Sequence, residues 1–167
     1  MVIAGVLGYV APVLAQVQGG GGQPIIISGC RQGECWEARV LAKRLEQQTR
    51  QGQLYRLTMG RRSWMEGSQP PAGFSERTQD YVYCSRTRPA YIFADPGGKG
   101  YIAHLLNPGG ATFGYNQASH NLYWQVCHGV NPQREPDLAR KARQLGYSLQ
   151  LPSNQITLAR PRDILQR

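Results

Sequence analysis

Cys35 stands where a thiol could act as a nucleophile. The segment Gly33-Glu34-Cys35-Trp36 opens a stretch whose apolar residues recur at helical spacing. A thiol at a helix N-terminus has a lowered pKa and is correspondingly more nucleophilic. A base for such a thiol would come from one of the three histidines of the chain, which are His104, His120 and His128.

The same segment resembles the Gly-x-Cys-Trp segment of papain-type cysteine peptidases, over four residues. The resemblance implies a secreted cysteine hydrolase acting on envelope peptide bonds, with Cys35 as nucleophile and Asn121 or Asn131 orienting the histidine. The chain departs from the family pattern at Gln32, which lies only three residues before Cys35. The oxyanion glutamine of the family lies further upstream.

The cysteines also support a different interpretation. An even number of cysteines in an exported chain usually forms disulfides, and four cysteines allow three pairings. We favour Cys30–Cys35, which are close in sequence, and Cys84–Cys127, which would join two predicted strands. A structural disulfide would leave Cys35 without a free thiol. The sequence has no zinc-type Cys/His spacing and no nucleotide-binding or hydrolase motif, so we predict neither a metal nor a cofactor.

A charge-free stretch over residues 101–133 is the second feature that could bind a ligand. It contains no Asp, Glu, Lys or Arg, but it is rich in aromatic and amide side chains. Aromatic faces beside neutral hydrogen-bonding groups suit a sugar ring, which predicts a glycan-binding module. The competing interpretation is that these residues form central strands and the core. The candidate ligand-binding residues are Tyr101, Tyr115, His120, Tyr123 and Trp124.

The basic residues predict an acidic partner. The chain has 19 Lys and Arg against 10 Asp and Glu, a net charge of +9. Such a surface attracts an acidic protein face or an anionic envelope polymer. We do not expect nucleic acid as a partner, because the chain is predicted to be exported, and membrane contact would be peripheral at most. The candidate surface consists of Arg39, Lys43, Arg50, Arg61, Arg62, Arg140, Lys141 and Arg143.

The N-terminal region predicts export. Residues 1–15 are apolar and end in Val13-Leu14-Ala15, which is typical of a signal-peptidase site. The positively charged n-region of a typical signal peptide is missing from these residues. Residues 16–23 form a Gly-rich linker, and 24–167 form one α+β domain. The expected location is the bacterial periplasm, a lumen or the extracellular space.

The element pattern predicts a small antiparallel sheet of five to seven strands with two helices, which could curl into a partly closed barrel. The first helix is predicted over 34–51, from the apolar stripe Ala38, Leu41, Ala42 and Leu45. The second is predicted over 136–145. Strands are predicted at 24–28, 54–59, 81–86, 90–94, 101–106, 122–128, 147–151 and 155–159, with a long loop over 60–79.

The charge, the disulfides and the lack of catalytic motifs favour a non-enzymatic binding or accessory protein as the first hypothesis. The hydrolase and the glycan-binding module are the alternatives.

Overall fold

A computed structural model describes residues 26–112, 114 and 116–166. The predicted leader and linker lie outside these residues. The strands are β1 (Ile26–Arg31), β2 (Glu34–Thr49), β3 (Gly52–Met65), β4 (Glu76–Ser85), β5 (Ala90–Ala94), β6 (Tyr101–Leu105) and β7 (Gln155–Leu158). The helices are α1 (Gln117–His128) and α2 (Leu138–Gln144), with 3₁₀ turns at Pro132–Arg134 and Pro161–Gln166.

The seven strands form one antiparallel sheet in chain order, curled into a half-barrel. The predicted fold class, an antiparallel sheet of five to seven strands with two helices, is confirmed. Side chains alternate between the two faces of the sheet. We call the face that packs against α1 and α2 the inner face; it carries Leu57, Val82 and Tyr91. The outer face carries a smaller core, which includes Leu54 and Ile92 and is covered by Ile164 of the C-terminal 3₁₀ turn.

The predicted helix over 34–51 is wrong, because this segment is strand β2. Gln32 and Gly33 both have positive φ, 54° and 82°, as in the type I′ turn that joins two hairpin strands. Two register shifts, at Val40/Ala42 and Leu45/Gln47, then interrupt the alternation of β2. Ala38 and Leu45 are seven residues apart, yet they pair with Arg61 and Tyr55, which share one face of β3. The first shift thus brings two residues with a helix-like separation to one face of the strand, whereas Ala42 of the predicted stripe pairs with Thr58 on the other face.

The predicted strand over 122–128 is also wrong, because these residues belong to helix α1. Leu122, Tyr123 and Trp124 are all fully buried. A short, wholly apolar run cannot be assigned to a strand or a helix from periodicity. Gly129 was the available signal: it ends α1 in the left-handed conformation at φ 64°. Its N–H donates to the Gln125 carbonyl, and the Val130 N–H donates to the Trp124 carbonyl.

The remaining predictions vary in accuracy. The strand at 90–94 is confirmed at both ends, and those at 155–159 and 101–106 each end one residue earlier than predicted. The second helix is confirmed, at Leu138–Gln144. The predicted loop over 60–79 is shorter, since β3 extends to Met65 and β4 begins at Glu76. Residues 147–151 form turns and irregular structure instead of a strand.

Two disulfides link the elements, and they are the pairings that we favoured from the sequence. Cys30–Cys35 joins directly paired residues of β1 and β2, with Cα atoms 3.9 Å apart. Cys84–Cys127 ties β4 to α1 across 43 residues, so it joins a strand to a helix and not two strands. Disulfides of this kind indicate an oxidising compartment.

A buried carboxylate fixes the middle of the inner face. Asp80 is 2% exposed, and its Oδ2 accepts hydrogen bonds from Tyr91 Oη at 2.5 Å and from Arg61 Nη2 at 2.9 Å. Burial raises the pKa of the Tyr91 phenol, and Asp80 raises it further. Asp80 thus joins β3, β4 and β5 through one charge-assisted network.

Replacing Asp80 with leucine is expected to lower the free energy of unfolding by about 2 kcal/mol, measured by urea denaturation. The loss of the carboxylate leaves the buried Tyr91 hydroxyl without an acceptor for its proton, whereas Arg61, at 35% side-chain exposure, can regain water. Glu76→Leu, at an exposed position of the same strand, is the matched control, expected to change stability by less than about 0.5 kcal/mol. Equal losses in the two variants would contradict a specific role for the network.

Candidate functional site

Cys35 lies in β2 and is bonded to Cys30. Both features that predicted a reactive thiol, a helix N-terminus and a free sulfur, are therefore missing at this position. His104 Nδ1 lies 3.2 Å from Ser119 Oγ, and His128 Nε2 lies 2.7 Å from Tyr147 Oη. Burial lowers the pKa of both histidines. Their side chains thus form polar contacts within the fold.

The predicted glycan platform is distributed between the core and the surface. Tyr123 and Trp124 are fully buried and His120 is 2% exposed, all within α1. Tyr101 lies instead on the outer face, edge-on to Tyr81 at 6.0 Å between ring centroids. Tyr115 lies outside the described residues. The described aromatic residues therefore pack into two different cores and do not form one open platform.

The eight predicted basic residues lie on different parts of the molecule. Arg61 binds Asp80 on the inner face, where Lys43 Nζ also donates to the Val126 carbonyl at 2.8 Å. Arg39 and Arg62 lie on the outer face against the ring of Phe74, and Arg62 also pairs with Glu37. Arg50 lies in the exposed turn after β2. The remaining three, Arg140, Lys141 and Arg143, lie on α2.

A different set of arginines surrounds a groove on the outer face, which we call the arginine groove. Its volume is about 320 Å³, and it runs across β2, β3 and β4. Arg44 is exposed, and it lies directly opposite Arg56 in the β2–β3 pairing. The floor is polar, with Gln79 Nε2 donating to Thr58 Oγ1 at 3.3 Å. The lining residues are Ala42, Arg44, Arg56, Thr58 and Gln79.

Positive charge exceeds negative charge at this groove. Glu46 Oε1 lies 2.8 Å from Arg56 Nε, and its Oε2 lies 3.6 Å from Nη2 of Arg162, which belongs to the C-terminal 3₁₀ turn. Two guanidinium groups thus pair with one carboxylate, and Arg44 adds a third positive charge opposite Arg56, which gives an excess of two. Like charges directly opposite one another on paired strands are destabilising. An anion held between Arg44 and Arg56 would relieve that repulsion.

A neutral phenol lies next to Arg56 on the outer face. Tyr81 pairs with Arg56 in the β3–β4 register. Its pKa is raised by burial and by Tyr101, against the opposing influence of Arg56 and Arg162. At neutral pH the Tyr81 hydroxyl is therefore protonated and able to donate a hydrogen bond. The groove can thus offer guanidinium, hydroxyl and amide groups to a ligand.

The arginine groove is not predicted by the sequence pattern. With β2 predicted as a helix, Arg44 had no reason to lie near Arg56. The available signal was the strand alternation of 54–59, which places Arg56 and Thr58 on one face. Their pairing with Arg44 and Ala42 depends on the bulges of β2, which are not visible in a residue pattern.

The comparisons with known proteins give no family from which a role for this site could be taken. No family model, no curated protein and no solved structure matches the chain. Within residues 26–112, 114 and 116–166, no group of three or more His, Cys, Asp or Glu side chains is arranged to hold a metal ion. In that part of the chain no helix is both long enough and apolar enough to cross a membrane.

Proposed function

We propose that this chain is an exported, non-enzymatic binding or accessory protein, and that its arginine groove receives an acidic group of the partner. The observation that carries this proposal is the direct pairing of Arg44 with Arg56 across a polar groove of about 320 Å³. Guanidinium groups bind carboxylate, sulfate and phosphate oxygens through paired N–H donors. The groove is at the small end of ligand-site volumes, which suits one side chain or one acidic sugar residue.

The charge of the whole chain supports the same partner class. A net charge of +9 attracts polyanions over long distances and raises the rate of encounter. The groove then provides the short-range contacts that a diffuse positive field lacks. The partner is an acidic protein surface or an anionic envelope polymer, because the chain with its predicted leader and its disulfides belongs in the periplasm, a lumen or outside the cell.

The test compares two double variants, each of which removes two positive charges from one side of the sheet. Arg44→Gln with Arg56→Gln is expected to weaken binding of poly-L-glutamate or polygalacturonate about tenfold, since two charge-assisted contacts are lost. The affinity of the native chain should also fall with added salt, because exposed charges are screened. Isothermal titration calorimetry at two salt concentrations measures both effects.

The matched control is Arg140→Gln with Arg143→Gln. It removes the same charge from α2, which packs on the inner face, away from the groove. We expect this variant to lose less than about half of the affinity. Equal weakening by both double variants would mean that only net charge matters, and unchanged binding in the groove variant would exclude the groove as the site. Comparing the two probes distinguishes an acidic polypeptide from an acidic polysaccharide.

A further inference from the structure

A second cavity lies at the opposite end of the sheet from the β1–β2 hairpin. It has a volume of about 300 Å³ and is enclosed by the turn between β4 and β5, the end of β6 and the segment leading into β7. Most of its walls are apolar, and its polar side chains come from the β4–β5 turn. The lining residues are Thr87, Arg88, Pro89, Leu105, Leu106, Pro152 and Ile156.

Backbone hydrogen bonds hold these walls together. Leu105 N–H donates to the Asn154 carbonyl at 2.8 Å, and Leu106 N–H donates to the Pro89 carbonyl at 2.8 Å. Arg88 N–H donates to Ser85 Oγ at 3.2 Å, which fixes the turn that carries the guanidinium. The cavity therefore lies between segments that are bonded to one another and is part of the folded framework.

Arg88 is the charged residue of this cavity, and its charge lacks compensation. The side chain is half-buried, and no carboxylate forms an ion pair with it anywhere in the described part of the chain. Its Nη1 atom is buried and has no hydrogen-bond partner among the same residues. A cation removed from water without a partner is costly, so an anion beside it would be stabilising.

An adjoining cavity of about 140 Å³ shares Leu105 and Leu106 with the first. Its other lining residues are uncharged or weakly basic and offer hydrogen bonds without negative charge. His104 there has a pKa lowered by burial, so it is neutral at physiological pH. The lining residues not shared with the first cavity are His104, Asn116, Ser153, Asn154 and Gln155. Neither cavity is lined by an acidic side chain that would repel an anion.

We propose that the cavity beside Arg88 binds a small organic monocarboxylate. The apolar body of the ligand contacts Leu105, Leu106 and Ile156, and its carboxylate pairs with the guanidinium of Arg88. A monoanion fits because the lining provides a single positive charge. A phosphate monoester would bring up to two negative charges to that one cation and an apolar wall. This site is separate from the arginine groove, which is lined by β2, β3 and β4.

The test uses hexanoate and its uncharged analogue hexanamide as probes of the oxidised full-length chain. Methyl chemical shifts of Leu105, Leu106 and Ile156 report binding at the cavity. Hexanoate is expected to shift these methyl signals with a dissociation constant of millimolar order or tighter, whereas hexanamide should bind at least about tenfold more weakly. This comparison needs no variant, so it does not depend on whether a substitution is tolerated.

Arg88→Gln is expected to weaken hexanoate binding about tenfold and to leave hexanamide binding unchanged. Arg86→Gln, at an exposed position of the same turn, removes the same charge and should have little effect. Arg44→Gln with Arg56→Gln should also leave hexanoate binding unchanged, which separates this site from the proposed function. Equal binding of the two probes to the native chain would overturn the proposal. So would methyl shifts confined to other residues, or an equal loss in the Arg86 and Arg88 variants.

Discussion

Replacing Cys84 and Cys127 with alanine is expected to lower the free energy of unfolding by about 4 kcal/mol, against about 2 kcal/mol for the same change at Cys30 and Cys35. A disulfide stabilises mainly by restricting the unfolded chain, and its effect grows with the logarithm of the loop that it closes. The sequence separations are 43 and 5 residues. The longer crosslink therefore contributes more, even though each is a single covalent bond.

The Cys84–Cys127 bond also has a clear structural role. It connects α1 to β4, and both cysteines pack against the inner core. Without it the helix is held by its buried side chains, such as Trp124, and by hydrogen bonds such as that from Lys43 to the Val126 carbonyl. The Cys30–Cys35 bond repeats a constraint that the tight Gln32–Gly33 turn already imposes on paired residues. Loss of the long crosslink should lower the melting temperature by roughly 10 °C.

Urea denaturation of the two double variants, each compared with the native oxidised chain, measures these losses. A strong reductant added to the native chain should produce at least the larger effect, since it removes both bonds. If the two double variants lost equal stability, loop length would not determine the contribution of each bond. The effect would then lie in local packing, such as that around the buried Cys35.

The sequence was sufficient to predict those elements that turn residues delimit on both sides. Strand β5 lies between Arg88-Pro89 and the Pro96-Gly97-Gly98 turn, and its bounds were predicted correctly. Helix α2 begins after Asp137, whose carboxylate accepts the Arg140 N–H at 2.8 Å, and Gly146 follows its end. These signals act over a few residues, so they are visible in a sequence.

The errors occurred where long-range pairing decides the structure. The bulges in β2 are set by its register against β3, and no local residue pattern specifies that register. Helix α1 buries polar as well as apolar side chains under the curled sheet, among them Ser119 and His120, so its apolar period was hidden. Predicting the arginine groove would have required two facts, that Arg44 lies in a strand and that this strand pairs Arg44 with Arg56. Candidate residues chosen by charge alone therefore missed it.

Acidification from pH 7.5 to pH 5 is expected to lower the free energy of unfolding of the native chain by about 2 kcal/mol through His120 alone, and the loss grows to about 3 kcal/mol at pH 4. His120 is 2% exposed, and burial lowers its pKa to about 4, against 6.5 for the free side chain. Between pH 6.5 and about pH 4, His120 of the unfolded chain binds a proton that His120 of the folded chain does not. The stabilising contribution of the neutral imidazole is thus complete above pH 6.5 and is lost as the pH falls toward 4.

His120→Leu is the variant that isolates this effect, because it replaces the imidazole with a side chain of similar size that does not titrate. Burial also lowers the pKa of His104 and His128, so the native chain alone cannot identify the residue. These contributions cancel in the difference between the native chain and the variant. That difference, measured by urea denaturation at pH 7.5, 5 and 4, should change by about 2 and then about 3 kcal/mol in favour of the variant. Parallel losses of stability in both proteins would show that the pKa of His120 is nearly the same in the folded and the unfolded chain, and the acid sensitivity of the fold would then belong to other groups.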